Sequence, residues 1–172
     1  NAHGPLGIRF THAHNDYHHP RPLFDALEYG FTSFEADVIL KKNTLYVAHD
    51  PEDIQFECTL ESLYLDPLFE LYKNHGDAIY PNWPTVYLMI DIKSDADSTF
   101  NVLHSLLLRY ADMLTLWIEN EINEKAVTII LSGNSPIRSV QQMSFRLVAL
   151  DARLEDLQRD CPAQLFPWLS EN

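Results

Sequence analysis

The sequence predicts an α/β fold on a parallel sheet, a (β/α)8 barrel that is incomplete within this chain. Three observations lead there. Short apolar stretches of strand length alternate with helical stretches along the chain, the order that builds parallel sheets covered by helices. Histidines, carboxylates and a lysine fall at the C-terminal ends of the apolar stretches, where parallel sheets and barrels carry their active sites. Finally, 172 residues fall short of the ~250 that a closed eight-stranded barrel typically takes. One domain over residues 1–172, truncated on its C-terminal side, is therefore expected.

The first strand spans Gly7 to Ala13. A helix follows over Pro22 to Tyr29, with Pro22 near its first turn and Gly30 as the stop. The second strand is Thr32 to Leu40, and Lys41-Lys42-Asn43 turns the chain into the third, Leu45 to Ala48. Thr59 is placed to cap a helical stretch that reaches Lys73, broken at Asp66-Pro67 and ended by Gly76. Val86 to Ile92 is the fourth strand. Asp95 or Asp97 then caps an amphipathic helix through Tyr110, whose buried stripe is Phe100, Leu103, Leu106 and Leu107. Residues 113–124 carry no clear period. The fifth strand is Ala126 to Leu131, Ser132-Gly133-Asn134-Ser135-Pro136 opens a short helix near Val140, and the sixth strand is Phe145 to Leu150. A helical turn over Leu154 to Gln158 and a strand-like Gln164 to Leu169 complete the pattern.

In a strand, residues i and i+2 share a face. His12 and His14, Glu35 and Asp37, and Asp91 and Lys93 are such pairs, while Phe34, Ala36 and Val38, or Leu88, Ile90 and Ile92, face the other way. Charged groups on buried strands are costly unless a metal or a substrate uses them, so the pattern points to a metal-dependent hydrolytic site. Glu35, Asp37 and Asp91 offer three hard oxygen ligands, which suits Mg2+ or Ca2+ rather than zinc. His14 and His49 are the candidate base and acid, because imidazole titrates near neutrality. Lys93 could neutralise a phosphate oxygen or pair with a carboxylate of the metal site. His12, one step deeper than His14, is read as a supporting residue, and His18 and His19 as loop residues.

A formal net charge of −13 repels polyanions at long range, which argues against nucleic acid and against broad adhesion to acidic membranes. A small phosphodiester held by a metal ion is compatible with that field, because charge at contact distance outweighs net charge. The apolar fraction of 46% and charged fraction of 22% are those of an ordinary globular chain. No apolar run reaches the ~18 residues of a membrane span. The opening Asn1-Ala2-His3-Gly4-Pro5 has neither the basic flank nor the apolar stretch of a signal peptide, and a mature or trimmed start would look the same. Cys58 and Cys161 make no metal-binding spacing; they are either one disulfide of a secreted protein or two thiols. A secreted or otherwise extracytoplasmic location is the expectation.

The order of motifs, an early His, then Glu-x-Asp, then His-Asp, then Asp-x-Lys on an apolar strand, resembles the superfamily of phosphatidylinositol phospholipase C-like phosphodiesterases. That superfamily includes glycerophosphodiester phosphodiesterases and sphingomyelinase D-type phospholipases. More closely, His14-Asn15-Asp16-Tyr17, Pro22-Leu23-Phe24-Asp25-Ala26-Leu27-Glu28-Tyr29-Gly30 and Glu35-Ala36-Asp37-Val38 look like its fungal altered-inheritance-of-mitochondria branch. Thr59 to Leu68, Ile90-Asp91-Ile92-Lys93-Ser94-Asp95 and Leu150 to Leu157 continue the likeness, which covers roughly residues 10 to 160. The resemblance implies a TIM (β/α)8 barrel of the PLC-like phosphodiesterase type, acting on a small phosphodiester or phospholipid. It implies His14 and His49 as the acid/base pair, Glu35, Asp37 and Asp91 on a divalent cation, and Lys93 near the phosphate. Two departures stand out. His14 is followed by Asn15-Asp16 where glycerophosphodiesterases usually carry Arg-Gly, and Asp91 matches the sphingomyelinase D type, where the others commonly have Glu.

Two rivals differ in class. An amidohydrolase-like or polymerase-histidinol-phosphatase-like metal hydrolase would use His12-x-His14 as its metal-binding opening, but it needs further histidine ligands where this chain has Glu35, Asp37 and Asp91. A barrel that binds a ligand without turning it over is the non-enzymatic alternative.

Overall fold

The computed structural model describes residues 5–152 other than 10 and 120, together with the strand at 168–169. Ten strands and four α-helices follow one another in these segments. The strands are β1 (His12–Ala13), β2 (Ser33–Lys41), β3 (Thr44–Val47), β4 (Val86–Ile92), β5 (Leu116–Ile118), β6 (Glu121–Asn123), β7 (Val127–Gly133), β8 (Phe145–Arg146), β9 (Val148–Ala152) and β10 (Trp168–Leu169). The helices are α1 (Phe24–Glu28), α2 (Asp66–Asn74), α3 (Ala96–Leu107) and α4 (Ile137–Gln141).

The main sheet runs β1-β2-β4-β7-β9-β10, with every neighbouring pair parallel, and β3 lies antiparallel against β2 off this path. Spatial order thus follows chain order without the reversal that marks a doubly wound sheet. Among the described residues no pairing joins β10 back to β1. The fold is therefore a mixed α/β fold around a mostly parallel sheet.

Period-two alternation sorts the sheet into two faces. Phe34, Ala36 and Val38 of β2, Leu88, Ile90 and Ile92 of β4, and Val127, Ile129 and Leu131 of β7 enter one large core with Leu103 and Leu107 of α3. The other face holds Glu35 and Asp37 of β2 toward its upper end. Level with Glu35 and one step below Asp37, Met89, Ile130 and Ala149 form a small second cluster with Trp117. Trp117 comes from a separate antiparallel sheet, β6-β5-β8. An apolar row therefore lies beneath Asp37 and Asp91 and beside Glu35.

Local chemistry accounts for most boundaries. Lys42 and Asn43 take φ of 48° and 62°, the left-handed pair that a tight two-residue hairpin requires, and Lys41 pairs with Thr44 across it. Asp95 caps α3 by accepting the Ser98 N–H at 2.9 Å. The stretch after Thr59 begins as a π-helical turn over Glu61–Leu65 and passes into α2, with Pro67 in the first turn. Proline is tolerated there, so Asp66-Pro67 marks a change of helix type where the sequence predicts a break.

Three expectations are revised. The first strand shrinks to His12–Ala13, because upstream Gly7 and Ile8 bond instead to the Asn82 side chain and the Gly30 carbonyl. The stretch Phe145 to Leu150 divides: Phe145–Arg146 pairs antiparallel with β5, and only from Val148 does the chain join β7. Residues 113–124, without a clear period, supply the short strands β5 and β6. The helical turn at 154–158, Cys161 and most of 164–169 lie outside the described residues.

Candidate active site

The site stands at the C-terminal ends of β2 and β4, on the face away from the helices. Parallel pairing puts Asp37 opposite Asp91, and Glu35 opposite Met89 one step lower. Alternation then turns all three carboxylates to the same side, where one ligating oxygen from each lies within 4.8 Å of the other two. Glu35 is 7% exposed and Asp37 1%, so these charges are largely removed from water.

Around Asp37 the partners are dense. Its Oδ2 accepts a hydrogen bond from the Tyr17 hydroxyl at 2.8 Å, and His49 Nδ1 lies 2.6 Å from the same oxygen. Lys93 Nζ stands 3.5 Å from Asp37 Oδ2 and 3.3 Å from Asp91 Oδ2. On the Glu35 side, His12 bonds at both ring nitrogens, 2.8 Å to the Ser33 hydroxyl and 3.2 Å to Glu35 Oε2. His14 Nε2 lies 3.6 Å from that same oxygen, with most of its ring in solvent. His14 and His49 thus approach different carboxylates of the cluster, Glu35 and Asp37.

The electrostatics follow from burial and crowding. Burial pushes the Asp91 carboxyl above its ordinary range, reinforced by the negative charges of Asp37 and Glu35 and opposed by Lys93. The Tyr17 phenol is pushed up by burial first, then by its hydrogen bond to Asp37 and by the surrounding carboxylates. It therefore stays a donor at physiological pH.

Asp37 Oδ1 and Asp91 Oδ1 are buried and have no hydrogen-bond partner among the described residues. Buried polar atoms are rarely left so without a water or an ion. Three hard carboxylate oxygens in reach of one point, with two neighbouring orphans, fit a hard divalent cation better than a soft or imidazole-seeking one. His12, by contrast, has both nitrogens engaged within the protein, which leaves the His12-x-His14 opening of the amidohydrolase-like rival without a free first ligand.

All six residues singled out from sequence, His14, Glu35, Asp37, His49, Asp91 and Lys93, lie in this one neighbourhood. Three others belong to its scaffold and carry no sequence-based role. Tyr17 sits in the His14-Asn15-Asp16-Tyr17 motif and reaches Asp37 from a 3-10 turn over Asp16–His18. Ser33, the first residue of β2, holds His12. Gly133 ends β7 at φ +66°, and a Cβ there would lie 2.1 Å from Asp91 Oδ1. A glycine directly after an apolar strand that borders Asp91 is the signal that would have identified it. Beside Tyr17 and His49 an open cleft of about 780 Å³ runs between the loop at 17–22 and the loop at 48–58.

Comparison with known proteins identifies the family. The family model described as the AIM6-like phosphodiesterase domain matches residues 7–151. Altered inheritance of mitochondria protein 6 homolog from Arthroderma benhamiae is 34% identical over 169 residues, covering 86% of this chain and 54% of that protein. Altered inheritance of mitochondria protein 6 from Kluyveromyces lactis is 34% identical over 164 residues, with 74% of this chain and 38% of the relative covered. Its namesake in Lachancea thermotolerans is 37% identical over 146 residues, covering 73% and 34%. The chain spans about half the length of the first of these relatives and less of the others. No solved structure gives a significant match. The matched stretch takes in every residue of the site described above, and the chain belongs to the AIM6-like phosphodiesterase domain family.

Proposed function

We propose that this chain is the phosphoric diester hydrolase part of a (β/α)8-type enzyme, dependent on Mg2+ or Ca2+ and acting on a small phosphodiester or phospholipid. The observation that carries it is the convergence of Glu35, Asp37 and Asp91 to within 4.8 Å, with His14 beside Glu35 and His49 beside Asp37. The family model, named for a phosphodiesterase domain, and the singly wound order of the sheet support the same reading.

Glu35, Asp37 and Asp91 would hold the cation. When bound, it would offset charge on the phosphoryl oxygens and polarise the phosphorus centre. His49 is oriented by Asp37 at Nδ1, which leaves Nε2 for proton transfer. The imidazolium would have its counter-ion in place, so His49 suits the acid that protonates the leaving oxygen. His14, beside Glu35, takes the proton from the nucleophile, either water or a neighbouring hydroxyl of the substrate. Lys93 contributes a fixed positive charge at the rim of the aspartate pair, where a phosphoryl oxygen would arrive. The apolar row of Met89 and Ile130, with Trp117 packed on it, would keep water from entering beneath Asp37 and Asp91.

The test compares leaving groups. With a diester of an ordinary alcohol, His14→Ala and His49→Ala each lower turnover by about 10²–10⁴-fold. With a p-nitrophenyl ester, whose leaving oxygen needs no proton, His49→Ala recovers most activity and His14→Ala does not. Full activity in either alanine variant on the alkyl diester would remove the two-histidine mechanism. Metal analysis of the purified protein that finds zinc in place of Mg2+ or Ca2+ would favour the amidohydrolase-like rival.

A further inference from the structure

Ser132 lies one strand beyond the carboxylates. It is the register partner of Asp91 across β4 and β7, and Asp91 is the partner of Asp37 across β2 and β4. Asp37, Asp91 and Ser132 therefore form one row at the C-terminal end of the sheet. The Ser132 hydroxyl oxygen is buried and has no hydrogen-bond partner among the described residues, the same condition as Oδ1 of Asp37 and of Asp91. Three orphaned polar atoms in one row point to bound groups that satisfy them.

The neighbours of Ser132 narrow its part. Asp91 Oδ1 occupies the space that a Cβ on Gly133 would take, while Lys93 stands at the other oxygen, Oδ2. Asp91 thus reaches toward the end of β7. Glu35 and Asp37 stand on β2, on the far side of Asp91 from Ser132, so the hydroxyl lies beside the carboxylate cluster and not within it. A carboxylate can only accept hydrogen bonds, whereas a serine hydroxyl can donate one. In a row of acceptors it is the group suited to the anionic end of a ligand. We propose that Ser132 donates a hydrogen bond to a phosphoryl oxygen of the substrate, as a neutral counterpart to Lys93 on the opposite side of Asp91. This rests on the reading of Glu35, Asp37 and Asp91 as the cation site.

The experiment is a pair of titrations on the purified chain, first with Mg2+ by calorimetry, then with inorganic phosphate on the Mg2+-saturated protein by phosphorus NMR. Wild type, Ser132→Ala and Ser132→Thr are compared, with melting temperatures recorded alongside. Mg2+ affinity is expected to stay within about twofold in all three. Phosphate affinity is expected to fall by about tenfold or more in Ser132→Ala, the loss of a hydrogen bond to a charged group, and to return in Ser132→Thr, which restores the hydroxyl. Loss of Mg2+ affinity in Ser132→Ala would make Ser132 a prop or ligand of the cation site and overturn the proposal. Unchanged phosphate affinity would overturn it as well. A wild-type chain that binds Mg2+ but no phosphate refutes the role of Ser132 alone, whereas one that binds neither Mg2+ nor Ca2+ removes the cation site and this role together.

Discussion

Asp16 and Asp37 are alike in burial, 0% and 1% exposed, and each keeps its Oδ1 without a hydrogen-bond partner among the described residues. Their company differs. Asp16 accepts the Leu23 N–H at 2.5 Å and the Tyr64 hydroxyl at 2.8 Å, both neutral and fixed donors. Leu23 has φ 65° and ψ −52°, a strained backbone for a branched residue, and the Asp16 bond holds it there at the entrance to α1. Asp37 instead meets His49, Lys93 and Tyr17, with Glu35 and Asp91 as like-charged neighbours. Burial of a carboxylate therefore does not separate scaffold from site. Neutral donors make a clamp, whereas cationic and titratable partners crowded with like charges make a place for a cation and a proton.

The sharpest break between the two comes from removing one charge at a time. Asp37→Asn is expected to lower diester turnover by about 10²-fold or more, since it disturbs both the cation site and the orientation of His49. Its melting temperature should hold or rise, because repulsion with Glu35 and Asp91 is relieved. A large fall in melting temperature with activity retained would place Asp37 with Asp16.

Asp16→Ala should do the opposite and cost about 2–4 kcal/mol of stability in denaturant titrations, by leaving the Leu23 N–H and Tyr64 hydroxyl buried and unpaired. Asp16→Asn keeps an acceptor and should cost less. It also tests a sign. Burial raises the Asp16 carboxyl above its ordinary value, against the bonds from Leu23 and Tyr64, so the folded chain holds this proton more tightly than the unfolded one. Its contribution is then full below the unfolded pKa and is lost as pH rises through the folded one. Asp16→Asn should flatten that segment of the stability–pH curve. An unchanged slope would mean that Asp16 titrates normally.

Gly133→Ala probes the border between clamp and site. The left-handed backbone makes alanine cost about 1–2 kcal/mol, and its Cβ displaces Asp91, so Mg2+ affinity should fall by more than the stability change accounts for. Equal and small effects on both would show that Asp91 has room to shift. Tyr17→Phe should have the smallest effect, about 1 kcal/mol in stability for one lost bond to Asp37, with turnover down only several-fold. Loss of turnover as deep as in Asp37→Asn would make Tyr17 part of the chemistry.

The strands β2 and β4 were legible because alternation is a local property. Phe34, Ala36 and Val38 against Glu35 and Asp37 state their own faces, as Leu88, Ile90 and Ile92 do against Asp91. The cap, at Asp95 or Asp97 from sequence and at Asp95 in the structure, and the turn at Lys41-Lys42-Asn43 are local as well. The short strands β5 and β6 were not legible, because three residues are too few to show a period, and Trp117 reads as apolar whether it faces a core, a floor or solvent. Phe145 to Leu150 reads as one strand because nothing in those residues tells that two different sheets claim its two halves.

Residue chemistry and period thus determined, from sequence alone, which side chains share the working face of β2 and of β4. Tertiary structure decided what meets across strands: the register that sets Asp37 beside Asp91 and Ser132, the turn that brings the Tyr17 hydroxyl to Asp37, and the assignment of Asp16 to the scaffold. The physical reason is distance along the chain. A strand's faces follow from neighbours one and two residues away. The partner of a carboxylate dozens of residues off is set by the packing of the whole sheet and its helices, and no local pattern encodes it.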